Sequence, residues 1–303
     1  MMKEHAAMAV GTRLDHVGLI AVGGADARPF LQGLVSSDVV GLSPTRAGYA
    51  ALLSAQGRYL HDFLMVEYGG VLLLMCEAAR REDLLKRLKL YRLRSKVTLE
   101  DWTGRLEVMR VWGDGAAQLL SLDGATRGTA RPLLGGAALI DPRLEELGVV
   151  LIGEAATLAM MTHGASPAED GAWERHRLQL GIPDGSRDLE VDRALLLENG
   201  FDELNGIDWK KGCYVGQELT ARTKYRGLVK KRLLPVIIDG TAPEPGTPLL
   251  VQGKEAGEMR SAQADLGLAL VRLEYLGQVL STQSATLTPR PAPWMQIPQA
   301  DAG

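Results

Sequence analysis

Gly69 and Gly70 turn the chain into VLLLMC at residues 71–76, an apolar run of the kind that fills a buried strand, and this commits the chain to a sheet. Its surroundings agree. Residues 49–54 and 59–68 flank AQGR as the arms of a hairpin or a tight connection, and residues 16–22 alternate weakly before stopping at Gly23-Gly24, as a strand does at a turn. Asp26 and Pro29 sit where a helix begins, carrying Phe30, Leu31 and Leu34 inward. In AARREDLLKRLKLYRLRSK, from Ala78, the residues Leu84, Leu85, Leu88 and Tyr91 recur at helical spacing with Arg and Lys opposite. That is a surface helix, whose basic face is either a solvated back or a docking site. VTLED, RLEVMRVWG and GVVLIG read as strands, the second unit starting near Gly104, and a helix follows around residues 173–180. After Lys231, RLLPVIID, TPLLVQGKEAGEMRSA and LGLALVRLEYL are short strands punctuated by PEPG, QGKE and Gly267, the spacing of a small antiparallel barrel or sandwich. The closing TPRPAPWMQIPQADAG is too proline-rich to pack regularly and is expected to be loose. Helices and strands do not alternate regularly enough for a doubly wound sheet, so the expected class is α+β with a C-terminal all-β module.

At 303 residues and 46% hydrophobic, the chain is long enough for two or three packed units. Its formal charge of -3 argues against binding to nucleic acid or membrane through net charge alone, so any positive site must be local. Two cysteines, Cys76 and Cys213, stand far apart with no CxxC, which supports neither a disulfide framework nor a zinc knuckle and fits a reducing compartment. Cys76, inside VLLLMC, belongs to the core. The five histidines show no HExxH or paired spacing, and neither a P-loop nor a GxGxxG fingerprint occurs. The first twenty residues carry no apolar signal region and do not resemble a transit peptide, and no stretch is apolar for long enough to span a bilayer. These observations lead to the expectation of a cytoplasmic protein with no membrane partner.

Charge concentrates in KKGCYVGQELTARTKYRG, residues 210–227. Between Lys210 and Arg232 lie Lys210, Lys211, Arg222, Lys224, Arg226, Lys230, Lys231 and Arg232, with Glu218 as the sole acid. Gly212, Gly216 and Gly227 allow close backbone approach or positive φ. A carboxylate-bearing or phosphorylated ligand suits such a stretch, whereas simple solvation of an interdomain loop would explain the charges but not the glycines and tyrosines. Tyr214 and Tyr225 beside the cations would also suit a single strand of nucleic acid, but the low aromatic content and acidic total weigh against it, and no direct nucleic-acid partner is expected. Cys213 among the cations is either a nucleophilic or metal-binding thiol or a small buried hydrophobe.

KGCYVGQELTARTKYRG resembles the signature of the YgfZ/GcvT-like folate-binding family, and GGADARPFLQGLVSSDV, SAQGRYLHD, RLQLGIPDG, LENGFDELNGIDWKKGC and GLALVR resemble further blocks of that family in order. The resemblance covers roughly residues 16–275 and implies an architecture related to the glycine cleavage T-protein. Two interleaved α+β units, residues 10–103 (folate-binding) and 104–228 (carrying the signature), would be followed by a C-terminal antiparallel β-barrel at 229–290 and a flexible tail at 291–303. Tetrahydrofolate is the implied ligand. The implied role is assembly or repair of iron-sulfur clusters in client enzymes, such as radical-SAM enzymes that modify tRNA. For the ligand, Arg222, Lys224 and Arg226 would meet the glutamate tail, Lys211, Tyr214, Gln217 and Glu218 would shape the channel, and Gln179 stands where the T-protein has a pterin-binding glutamate. The T-protein's consecutive aspartates are replaced by His61-Asp62, leaving one carboxylate. Cys213 and Asp62 are the candidate chemical residues. An aminomethyltransferase or demethylase that uses Asp62 to orient a folate nitrogen is the competing reading.

Overall fold

The run 71–76 does form a strand, Val71–Glu77, and it sits in the middle of a five-stranded sheet. The computed structural model describes residues 9–297. The strand order in that sheet is Gly48–Leu53, Tyr59–Tyr68, Val71–Glu77, Val17–Gly23, Thr98–Asp101. Two helices, Ala27–Gln32 and Arg81–Arg92, cover it, and Phe30, Leu31, Leu84 and Leu88 join Leu52, Met65, Leu74 and Cys76 in one apolar core. Cys76 is buried, as expected from its strand, and burial pushes its thiol up to about 12. The helix departs from its sequence pattern at one end: Leu84 and Leu88 are buried but Tyr91 is 40% exposed, so the apolar face ends one turn earlier than the spacing predicts.

A second sheet has the order Ser166–Pro167, Val10–Arg13, Glu107–Trp112, Val149–Gly153, Gly136–Ile140, Ala130–Leu133. Its first pair is parallel and the rest are antiparallel. Every residue of Val149–Gly153 is buried, and on one face of the strand Val149 and Leu151 pack with Leu120 and Leu158 in one apolar cluster.

The C-terminal module is a closed antiparallel barrel in the order Lys231–Gly240, Leu266–Arg272, Lys254–Gln263, Pro248–Val251, Leu280–Ser281, Ala285–Pro289. The alternative of a sandwich is thereby removed. Closure leaves no edge strand unpaired, which suits strands this short. The α+β class with an all-β C-terminal module is what the sequence led us to expect.

Contacts divide the chain into two compact units. One holds the chain through Leu53, His61–Glu169 and Leu204–Val215, and the other Ser54–Leu60, Asp170–Glu203 and the chain from Gly216 on. The expectation of a loose tail fails for residues 291–297. Trp294 Nε1 donates to Leu180 O at 2.7 Å, Ala292 is buried, and Met295 and Ile297 pack against the barrel core. Proline removes donors but not apolar surface, and here the aromatic and aliphatic side chains between the prolines hold the segment down. Residues 1–8 and 298–303 lie outside the described residues.

Candidate functional site

The signature stretch begins with an acid that ties its backbone. Asp208 N donates to Ser36 O at 3.0 Å, and the Asp208 carboxylate accepts from the N–H groups of Lys210 at 2.7 Å and Lys211 at 3.2 Å. An aspartate that accepts from residues two and three ahead fixes a turn. Lys211 then runs back along the chain: its Nζ donates to Val35 O at 2.6 Å and Ser37 O at 2.8 Å, and it stands 5.3 Å from the centroid of the Tyr214 ring. Burial pulls its ammonium down to about 8, opposed by Asp38 and Asp208. Tyr214 is buried, and Val215 donates its N–H to Gly33 O at 3.3 Å and packs against the first core. Between these anchors Cys213 is exposed. The reading of Cys213 as a buried hydrophobe is therefore excluded. Of the residues expected to line a ligand channel, Lys211 makes its Nζ hydrogen bonds to the backbone of residues 35 and 37 and Tyr214 is buried beside it.

Asp62 lies on Tyr59–Tyr68, where side chains alternate between faces. His61 turns to the Arg81–Arg92 helix and pairs through Nε2 with Asp83 Oδ2 at 2.8 Å, and burial, then Arg80, push its imidazole down to about 4 despite Asp83. Asp62 turns the other way and accepts from Tyr49 OH at 2.8 Å. The histidine that replaces one of the paired aspartates thus faces away from the remaining carboxylate. Tyr49 is buried, and burial followed by the charge of Asp62 raises its phenol well above the usual range. Arg143 covers the Tyr49 ring, its guanidinium 5.4 Å from the centroid. It is held in turn by Asp141, through Nη2 to Oδ2 at 2.9 Å, and Asp141 also accepts from Arg110 at 2.8 Å. Burial alone would raise the Asp141 carboxyl, but Arg143 and Arg110 hold it down at about 2. Tyr49, Asp141 and Arg143 were not among the residues picked from the sequence. For Tyr49 the hairpin carried no direct signal, since Tyr49 stands six residues before the AQGR turn and Asp62 four after it, so the register of the two arms does not pair them. For Arg143, about eighty residues downstream of Asp62, no local pattern exists.

The remaining candidates belong to the second unit. Gly216, at φ 80, starts the helix Gln217–Tyr225. The Ser54–Arg58 turn packs on it so closely that a Cβ on Gly57 (φ 79) would come within 2.7 Å of both Gly216 O and Leu219 Cβ. SAQGR and GQEL therefore meet as two halves of one contact. The turn is gripped by Tyr59 N to Ala194 O at 3.0 Å and Asp192 N to Tyr59 O at 2.8 Å. Along the helix, Glu218 lies in the first turn and Arg222 and Lys224 in the last, each complementing the helix dipole. Lys224 pairs with Asp202 at 2.6 Å. Arg222 and Arg226 are exposed, and neither has an ion pair among the described residues. Gln217 is half-buried, Glu218 exposed, and Gln179 exposed on the helix Ala172–Leu180. Asp62, Lys211, Cys213 and Tyr214 thus fall in one unit and the other six candidates in the second. Among the described residues no group of three or more His, Cys, Asp or Glu is placed to hold a metal ion.

Comparison with known proteins gives this geometry its relatives. A family model for the GCVT N-terminal domain matches residues 3–125, and one for the C-terminal beta-barrel domain of CAF17 matches residues 230–297. The chain is 36% identical over 284 residues to the human mitochondrial iron-sulfur cluster assembly factor IBA57, covering 87% of this chain and 78% of that protein. The chain belongs to the IBA57 family. It is also 32% identical over 295 residues to the mitochondrial IBA57 homolog of Pyricularia oryzae, covering 88% of this chain and 72% of that one. The crystal structure of the glycine cleavage system aminomethyltransferase T from Bartonella henselae superposes with a TM-score of 0.79 over 96% of this chain and 87% of the other, at 15% identity. That likeness shows a GcvT-like fold. The iron-sulfur link of the family resemblance holds at the level of IBA57 rather than of YgfZ specifically. The expected cytoplasmic location is overturned, because these IBA57 relatives are mitochondrial proteins by name. A scarcity of cysteine pairs is compatible with more than one reducing compartment, and so had no power to separate them.

Proposed function

We propose that this IBA57-family chain acts in the assembly or repair of iron-sulfur clusters in client enzymes, with Cys213 as its contact to a cluster, a persulfide or a partner thiol. The observation that carries this reading is the exposed Cys213 thiol on a loop anchored on both sides by Lys211 and Val215. A cluster is usually held by four thiolates, so one thiol supplies a single ligand and the client supplies the rest. Radical-SAM enzymes that modify tRNA are among the clients this reading includes. The test is restoration of iron-sulfur enzyme activity in cells depleted of their own IBA57: Cys213→Ser should accumulate like the parent chain and restore little, and full restoration would remove Cys213 from the mechanism.

The same reading includes tetrahydrofolate as ligand, supported by the family resemblance. A glutamate tail needs cations that are not already neutralised, and Arg222 and Arg226 meet that requirement whereas Asp202 holds Lys224. Gln179, exposed, offers one acceptor and one donor to a pterin edge. Bound folate would supply a one-carbon carrier. Calorimetry should show Arg226→Glu weakening a polyglutamylated folate more than a tail-less analogue, and equal losses would contradict the tail assignment. The alternative, a folate-dependent one-carbon transferase, draws on one observation, the Asp62 carboxylate held in place by Tyr49. Formation of methylenetetrahydrofolate by the purified chain, lost in Asp62→Asn, would favour it.

A further inference from the structure

The helix Arg81–Arg92 leaves its core before it ends. Beyond Leu88, Leu90 is 69% exposed, Tyr91 40% and Leu93 87%. Around them Lys86, Lys89, Arg92, Arg94 and Lys96 carry no ion pair among the described residues, in contrast to Arg87, which pairs with Asp83. No acid occurs from Leu84 to Val97. The backbone adds a second observation. Leu93 has φ 45, a region that side chains other than glycine enter only under constraint. The constraint is visible: Lys96 N donates to Asp26 Oδ2 at 2.7 Å, Asp26 N donates to Lys96 O at 3.3 Å, and the chain passes Gly24 so closely that a Cβ there would lie 2.2 Å from Lys96 O. A strained turn thus holds a leucine out in water, beside an open crevice lined by Asp26, Leu93, Arg94 and Ser95. Exposed apolar side chains gathered at one place and ringed by polar groups mark an interaction surface.

We propose that residues 90–96 dock an acidic segment of a protein partner, with Leu93 as the apolar anchor. Five cations with no ion pair among the described residues, three of them (Arg92, Arg94 and Lys96) within 90–96, set the sign of the partner in a chain of net charge -3. An anionic bilayer fits less well. A helix lying in a membrane surface needs a continuous apolar face, and here Leu84 and Leu88 are already committed to the protein core. This surface is independent of the iron-sulfur reading and stands or falls without it.

The test starts with the full chain carrying a photo-reactive benzoylphenylalanine at position 90, cross-linked in cells, and with the linked peptide sequenced. The expected product is one protein segment rich in Asp and Glu. A synthetic peptide of that segment should then bind the purified chain with an affinity that falls with salt, and Leu93→Asp or the pair Arg92→Glu and Arg94→Glu should weaken it about tenfold. Leu93→Gly separates anchor from fold: it should raise the melting temperature by relieving the backbone while still weakening the peptide. Cross-links only to lipid, only to a second copy of this chain, to a segment without excess acid, or to nothing would overturn the proposal, as would an affinity unmoved by Leu93→Asp.

Discussion

Cys76 and Cys213 share a side chain and little else. Cys76 sits on a central strand, its thiol 3.7 Å from Gly18 O in an apolar core, and its chemistry is suppressed by burial. Cys213 sits on a loop with almost no core of its own, yet the loop is held by Asp208, Lys211 and Val215 through hydrogen bonds to residues 33–37. A strand positions a residue by packing and thereby hides it. Polar anchoring positions a residue and leaves it accessible, which is what a thiol that must meet a partner requires.

The sharpest way to break the comparison is to put charge at the hidden position. Cys76→Asp buries a carboxylate among Leu52, Met65 and Leu74, and should cost at least about 4 kcal/mol and leave little folded protein by circular dichroism. His61 and Asp62 repeat the contrast within one strand, and pH reads it out. The folded His61 imidazole titrates at about 4 rather than 6.5, so as pH falls the unfolded chain takes up the proton first. Its contribution is complete above about pH 6.5 and is lost toward pH 4, up to about 3 kcal/mol. Urea midpoints at pH 7 and 4.5 should therefore differ less for His61→Gln than for the parent chain; an identical slope would mean that the histidine is not held neutral. Lys211→Met removes the donor to two carbonyls and should cost about 1–3 kcal/mol, with faster amide exchange across 208–215 than elsewhere in the same unit. Exchange that rises uniformly, or not at all, would show that the anchor does not hold the loop.

Much of this was legible in the sequence, and the limits of legibility are physical. The central strand, the hairpin around AQGR and the closed barrel announce themselves by apolar runs and turn residues a few positions apart, and Cys76 inherits its burial from its strand. The exposed face of Cys213 was open to two readings, because exposure is decided by where Lys211 and Val215 find partners some 175 residues away. Tyr91 followed helical spacing and still emerged into solvent, since periodicity marks a face but not the length of the surface that covers it. The Arg143 and Asp141 pair behind Tyr49 had no signature at all, as buried ion pairs are made by tertiary approach and not by local pattern.

The smallest expected effect on stability is the most informative about function. Cys213→Ser should shift the unfolding free energy by less than about 0.5 kcal/mol, as befits an exposed side chain. The deciding measurement is iron-sulfur enzyme activity in cells depleted of IBA57 that express this chain or its Cys213→Ser variant at equal levels. Restoration by the parent with a loss of most of it in the variant is the predicted result; equal restoration by both would contradict the claim that the anchored loop exists to present a thiol.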